Sequence, residues 1–172
     1  KRAADRSFNR ITVDGDTSTN DMALILANRM AGNKELNDST AISYQKFYDA
    51  LEFLLIHLSK MIVLDGEGAT KFIEIEVVGA ATEEAAVRAA RAIANSSLVK
   101  TAINGEDANR GRILAAVGYS GIEVDPSRVE IFFGDVPILQ KNYAIYFSEK
   151  AAKLVLSQKE IKITVNLNQG AH

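Results

Sequence analysis

The sequence predicts a mixed α and β fold in two small layers, and three patterns lead to this prediction. Apolar residues recur at the spacing of an amphipathic helix over residues 43–63. Residues 72–78 and 159–167 instead alternate between apolar and polar side chains, as strands with one buried face do. A chain of 172 residues that is 47% hydrophobic is large enough to enclose one substantial core or two small ones.

The composition excludes several classes of protein. Twenty Lys and Arg against 22 Asp and Glu give a net charge of -2, which provides no general basic surface for nucleic acid. Without cysteine there are no disulfides or thiolate sites, and His57 and His172 are too few for a histidine-rich zinc centre. No apolar run approaches the roughly 20 residues of a membrane span, and residues 1–10 lack a signal-peptide pattern. We therefore expect a soluble intracellular protein.

The N-terminal part is predicted to contain two strands and one long helix. Residues 9–13 alternate and predict a short strand, which leads into the polar and glycine residues 14–21 that are typical of turns. The apolar run 22–27 is ambiguous between strand and helix, and we favour a buried strand. The helix over 43–63 ends at the glycines of residues 65–68, which allow a positive φ.

The C-terminal part is predicted to alternate helices and strands. Thr82 is expected to cap a helix that runs to residue 95, with acidic residues at its positive end. Residues 97–102 are predicted as a strand, which would complete a β-α-β unit with the strand over 72–78. The remaining expected elements are a short helix through residue 117, a strand over 128–133 that turns at Gly134, and a helix over 148–156.

Three polar motifs permit a binding site but also have structural interpretations. Residues 14–18 open like a calcium loop, but Thr19 replaces the turn glycine and Ile25 the bidentate glutamate, so calcium is disfavoured. Residues 66–71 resemble a phosphate cradle without its Gly-Lys-Ser/Thr ending, and a helix stop followed by a turn is favoured. Residues 104–112 suit either an anion site at a helix N-terminus or a solvated cap with local ion pairs.

Three long stretches closely resemble signature blocks of the ornithine acetyltransferase family (bifunctional glutamate N-acetyltransferase, ArgJ). They are SFNRITVDGDTSTND at residues 7–21, DGEGATK at 65–71, and VKTAING at 99–105 followed by GRILAAVG at 111–118. The blocks occur in the family's order, and residues 161–170 are similar to the family's last strand. The resemblance covers nearly the whole chain, as a β chain that lacks its extreme N-terminal and C-terminal segments.

The resemblance implies an acetyltransferase made as a self-cleaving precursor. Cleavage at an Ala-Thr junction would give α and β chains, and the new N-terminal threonine of β would be the nucleophile. That threonine is expected before Lys1 and the oxyanion hole in the α chain, so no catalytic residue is expected within this segment. The acetyl group would pass from N-acetylornithine to the threonine and then to glutamate in arginine biosynthesis, and some members also use acetyl-CoA.

Within this sequence the resemblance carries over one substrate-binding residue, Glu67. The chemistry is reasonable because an ionised carboxylate holds an ammonium group through a charge-assisted hydrogen bond. Gly66 and Gly68 would let the backbone approach the ligand closely. Residues 14–21 are interpreted as scaffold, and Lys71 as a lysine that pairs with a neighbouring acid.

The family's fold and assembly are also implied. The fold is an α+β four-layer αββα sandwich, similar to that of the DmpA-type aminopeptidases, with a smaller α/β part. Residues 1–68 would belong to the nucleophile domain, and residues 69–172 would form the smaller α/β domain and the closing strands. The α chain of the same precursor would be the partner in an α₂β₂ heterotetramer without metal or redox cofactor, in the cytoplasm or, in a eukaryote, the mitochondrial matrix.

Two residues depart from the family pattern and leave alternatives open. Ala108 and Arg110 stand where the family usually has proline and tryptophan. One alternative is an N-terminal-nucleophile hydrolase or aminopeptidase on the same fold. The other is a non-catalytic paralogue that serves as a binding or structural subunit.

Overall fold

The protein consists of two compact units, each described here by itself. The computed structural model describes residues 1–145 and 147–172. Unit 1 comprises Lys1–Ile62, and unit 2 comprises Val63–His172. Helices combined with a mixed four-stranded sheet confirm the predicted α+β class. The domain boundary predicted between residues 68 and 69 stays a prediction.

Unit 1 is built around one long helix. The short helix α1 (Arg2–Asp5) and a 3₁₀ turn (Phe8–Arg10) precede helix α2 (Ile42–Leu64), which confirms the helix predicted over 43–63. Arg6 donates a hydrogen bond to Glu52 of α2, with 2.9 Å between Nη1 and Oε1. The Arg2 guanidinium lies over the Tyr48 ring at 5.0 Å from its centroid, so charge and cation–π contacts hold the N-terminus against α2.

The two strands predicted in unit 1 are wrong. Residues 9–13 begin in the 3₁₀ turn, where the Arg10 amide donates to the Ser7 carbonyl at 2.9 Å, and residues 11–13 belong to no strand. Residues 22–27 form no regular element, and Met22 and Leu26 are 81% and 84% exposed. An apolar run is buried only where another apolar surface covers it, and no part of unit 1 covers this run.

Unit 2 contains a sheet of four strands with the order β1-β4-β2-β3. The strands are β1 (Phe72–Val78), β2 (Glu130–Phe133), β3 (Val136–Leu139) and β4 (Glu160–Asn166). β4 lies parallel to β1, with Phe72 opposite Glu160 and Val78 opposite Asn166, and antiparallel to β2, which forms a hairpin with β3. β1 confirms the predicted strand over 72–78, and β4 falls within the predicted strand over 159–167.

Unit 2 also contains four helices, of which two pack directly on strands and two pack on a neighbouring helix. They are α3 (Glu83–Asn95), α4 (Ser97–Asn104), α5 (Arg110–Gly118) and α6 (Glu149–Leu156). On strand β4, Ile161, Ile163 and Val165 are buried, whereas Glu160 and Lys162, which alternate with them, are exposed. α3 packs on β1 and α6 packs on β2 and β3, so unit 2 is a two-layer structure with its core between helices and sheet.

The helix caps follow the sequence closely. The side chain of Thr82 accepts a hydrogen bond from the Ala85 amide at 3.1 Å, as its predicted role as an N-cap requires. Ser148 caps α6 in the same way. Within residues 1–145 and 147–172, no helix combines the length and hydrophobicity that a membrane crossing requires.

The strand predicted over 97–102 is wrong, because these residues belong to helix α4. The side chain of Ser96 caps this helix by accepting a bond from the Val99 amide at 3.3 Å. Val99, Ala102 and Ile103 are buried at helical spacing against the core. The predicted β-α-β unit is therefore absent at this place, and the parallel partner of β1 is β4, at the other end of unit 2.

A close backbone approach follows the pairing of β1 with β4. The Gln169 amide donates to the Gly79 carbonyl at 2.7 Å, and Gly79 has a φ of +67°. A Cβ atom at Gly79 would clash with Asn166 Oδ1 and would lie 2.8 Å from the Asn168 amide nitrogen. Glycine is therefore required at position 79 both for its backbone conformation and for space.

The steric requirement for glycine at position 79 can be tested by comparing two alanine substitutions. Gly68 has a similar φ of +70°, but a Cβ there meets nothing within 4 Å. We expect Gly68→Ala to lower the free energy of unfolding by about 1 kcal/mol through backbone strain. Gly79→Ala should cost about 2–4 kcal/mol, because steric overlap adds to the same strain. Denaturant unfolding of the two variants measures both values, and equal losses would show that the close approach is not a constraint.

Candidate functional site

The candidate site is the turn that connects α2 to β1. After α2 ends at Leu64, the Gly66 amide donates to the Val63 carbonyl at 3.3 Å, and the Ala69 amide donates to the Gly66 carbonyl at 3.0 Å. The second bond closes a β-turn with Glu67 and Gly68 at its centre. The positive φ of Gly68 suits a turn in which the second central residue is left-handed, so the glycine sets the direction of the chain after Glu67.

The carboxylate of Glu67 is available for a ligand. Glu67 is exposed at the tip of the turn, and among the described residues none forms a hydrogen bond or an ion pair with it. Two other carboxylates of unit 2 are engaged instead: Glu76 with Lys162, and Glu106 with Lys71. An ionised carboxylate with free lone pairs can accept hydrogen bonds from an ammonium group.

Lys71 has more partners than the ion pair that the sequence suggests. Its Nζ atom lies 3.9 Å from Glu106 Oε1, which agrees with the interpretation that it pairs with a neighbouring acid. The same ammonium also donates to the carbonyl of Leu156 and, at 3.4 Å, to that of Ile103. These two carbonyls lie at the C-terminal ends of α6 and α4. Sequence reasoning missed these contacts because backbone acceptors leave no residue signature.

The side chains of the polar segment 104–112 form a helix cap and hydrogen bonds within unit 2. Asn109 caps α5 by accepting a bond from the Arg112 amide at 3.1 Å. The guanidinium of Arg112 is used within the unit, because it donates to the Leu98 carbonyl at 2.9 Å and to Thr101 Oγ1 at 3.1 Å. These bonds favour the cap over the anion site. Ala108, one of the two departures from the family pattern, packs against the core.

The polar segment 14–21 lies in unit 1 and is organised by its own side chains. Asp14 accepts a bond from the Asp16 amide at 2.8 Å, and Ser18 accepts one from the Asp21 amide at 3.1 Å. Bonds of this local kind form turns and support the scaffold interpretation. Among residues 1–145 and 147–172, no group of three or more His, Cys, Asp or Glu side chains is arranged to hold a metal ion.

Comparison with known proteins identifies the class and then the family. The fold matches that of a crystallised enzyme of arginine biosynthesis: the arginine biosynthesis bifunctional protein ArgJ of Bacillus halodurans, at a TM-score of 0.94 and 46% identity, over 99% of this chain and 80% of that chain. The sequence profile of the ArgJ family matches residues 1–172. The chain belongs to the ArgJ family.

The curated relatives agree. The proteins named arginine biosynthesis bifunctional protein ArgJ from Symbiobacterium thermophilum and Geobacter sulfurreducens are 54% and 53% identical to this chain. Each alignment covers 99% of this chain but 42% and 43% of the relative. The chain thus spans less than half the length of these curated relatives.

The engaged carboxylate Glu76 offers a pH-dependent test of unit 2. Lys162 donates a hydrogen bond to this carboxylate, with 3.0 Å between Nζ and Oε2. The bond raises the pKa of Lys162 above its ordinary value of 10.5. A raised lysine pKa means that the stabilisation is complete below the ordinary value and is lost as the pH rises through the raised one. Since both side chains are exposed by more than two fifths, we expect a coupling below about 1 kcal/mol at neutral pH.

A double-mutant cycle of Lys162→Met and Glu76→Gln, read by denaturant unfolding, measures this coupling. We expect it to vanish at a pH above the raised pKa of Lys162. A coupling that persists there would mean that packing, and not charge, joins the two side chains.

Proposed function

We propose that this chain is the β-chain part of an ornithine acetyltransferase that moves an acetyl group from N-acetylornithine to glutamate. The observation that carries the proposal is the family match over residues 1–172 together with the exposed, unpaired carboxylate of Glu67 within the family's DGEGATK block. The relatives' names place them in arginine biosynthesis and call them bifunctional. The proposed setting is the cytoplasm, or the mitochondrial matrix in a eukaryote.

The proposed reaction has two halves that share an acetyl-threonine ester. The hydroxyl oxygen of a threonine that precedes this segment attacks the acetyl carbonyl of N-acetylornithine, and its proton passes by way of the threonine's own amine to the departing ornithine nitrogen. The amine of glutamate then attacks the ester, which gives N-acetylglutamate and restores the hydroxyl. Backbone or side-chain donors of an α chain would stabilise the oxyanion in both halves.

Glu67 would bind the donor through the side-chain ammonium of N-acetylornithine. The α-nitrogen of that substrate is acetylated and uncharged, so the side chain carries its ammonium group. Glutamate lacks a side-chain ammonium, and its α-amine must lose a proton before it attacks the ester. A free carboxylate on a rigid turn therefore favours the donor over the acceptor.

An α chain is the proposed partner, in an α₂β₂ assembly. Unit 1 exposes large apolar side chains whose contact with water is unfavourable, and such a surface is typical of an interface with another chain. Five of them are 76–84% exposed: Met22, Leu26, Met30, Ile42 and Phe53. The share of each similar protein that this chain covers also supports a protein made of two chains. The aligned region makes up 80% of the crystallised B. halodurans chain but 42% of the S. thermophilum relative, so that crystallised chain is about half as long as a full-length relative.

The first test is the intact mass of the β chain purified from the full-length gene product. We expect a self-cleaved chain that gains one acetyl group from N-acetylornithine and loses it when glutamate is added. Acetyl-CoA in place of N-acetylornithine shows in the same assay whether it is a second donor. A cleaved chain that is never acetylated would indicate a hydrolase or a non-catalytic paralogue. An uncleaved precursor would refute the mechanism.

The role of Glu67 has its own prediction. We expect Glu67→Gln to raise the KM for N-acetylornithine roughly tenfold, because a hydrogen bond to a charged group is lost, and to leave the KM for glutamate nearly unchanged. Glu123→Gln is the matched control, since it removes another exposed carboxylate of unit 2. Steady-state kinetics of both variants measure the two KM values. Equal changes for donor and acceptor would remove Glu67 from the donor site.

A further inference from the structure

We propose that Lys71 is a positioning residue for Glu67: it anchors the turn that carries this carboxylate to the C-terminal ends of two helices. The inference rests on the proposed function, because it assumes that Glu67 binds substrate. It goes beyond that function by assigning a role to a residue that does not itself touch the substrate.

The contacts of Lys71 join elements that are distant in sequence. The ammonium donates to the carbonyl of Leu156 in α6 and to that of Ile103 in α4, and Glu106 Oε1 lies 3.9 Å away. The last carbonyls of a helix have no partner within the helix and carry its partial negative charge. The Lys71 ammonium lies at two such helix ends, so it is held by both of them and by the Glu106 carboxylate.

Burial shows where the turn segment becomes attached to unit 2. Residues 67–70 are all exposed, whereas the side chain of Lys71 is 15% exposed. Directly after it, the Phe72 amide donates to the Lys159 carbonyl at 2.7 Å, and β1 begins. Lys71 is thus the first side chain after Glu67 that is held by the body of unit 2.

The consequence for Glu67 is conformational. The Gly66–Ala69 hydrogen bond fixes the shape of the turn, but it does not fix where the turn lies relative to the helices. The Lys71 contacts supply that second constraint. Without them the carboxylate would sample more positions, and substrate binding would have to order it at an entropic cost.

The test is a kinetic double-mutant cycle on the mature enzyme made from the full-length gene product. Lys71→Met removes the donors and the charge but keeps the length of the side chain. We expect it to raise the KM for N-acetylornithine about threefold to tenfold, a change no larger than that of Glu67→Gln. In the double variant the KM should equal that of Glu67→Gln alone, because a carboxylate that is absent cannot be misplaced.

Two further variants separate positioning from general stability. Lys71→Arg keeps a cation with several donors and should restore most of the affinity. Lys162→Met, the matched control, removes an ammonium that pairs with Glu76 on the sheet and should leave the KM unchanged. If Lys71→Met does not fold, Lys71→Gln, which retains donors without charge, is measured by the same criteria.

The outcomes distinguish this inference from the proposed function. If Glu67→Gln leaves the KM for N-acetylornithine unchanged, the proposed role of Glu67 fails and the role of Lys71 fails with it. If Glu67→Gln raises the KM but Lys71→Met does not, only the role of Lys71 is overturned. Effects that multiply in the double variant would overturn it as well, because they would show that Lys71 acts independently of Glu67.

Discussion

Unit 2 depends on the parallel pairing of β1 with β4. The pairing joins residues 72–78 to residues 160–166, so all four helices and the β2–β3 hairpin lie in the chain between the two strands. β4 also pairs with β2 and carries three buried residues into the core. This pairing also fixes the position of Lys71, which immediately precedes the first paired residue of β1. Its ammonium group therefore lies at the C-terminal ends of α4 and α6.

The fold could be predicted where the signal was local and could not where it was distant. The cap at Thr82 and the alternation in residues 72–78 are patterns within a few residues, and the structure has both. Residues 97–102 carried conflicting signals, since Val99 and Thr101 favour a strand while Ser96 can cap a helix. Packing of the Val99, Ala102 and Ile103 face decided for the helix. The partner of β1 had no local signal at all.

The candidate site, too, could be predicted from the sequence only where the signal was local. The glycines around Glu67 predicted a turn, and Gly68 does adopt a positive φ there. The state of the nearby charges depends on contacts across the unit. Glu76 and Glu106 form ion pairs with lysines, and Lys71, the lysine closest to Glu67 in sequence, donates to helix carbonyls. The carboxylate of Glu67 is exposed, and the lysine closest to it in sequence has its partners elsewhere in unit 2.

The apolar run at residues 22–27 marks the limit of reasoning from one segment. Its composition predicts burial, since large apolar side chains are unfavourable in water, but the structure leaves these residues exposed. Composition does not say which surface supplies the burial, and unit 1 supplies none. More than half the length of the curated relatives lies outside the region that this chain matches. The strand prediction assumed a covering surface within this chain, whereas under the proposed function the α chain would provide it.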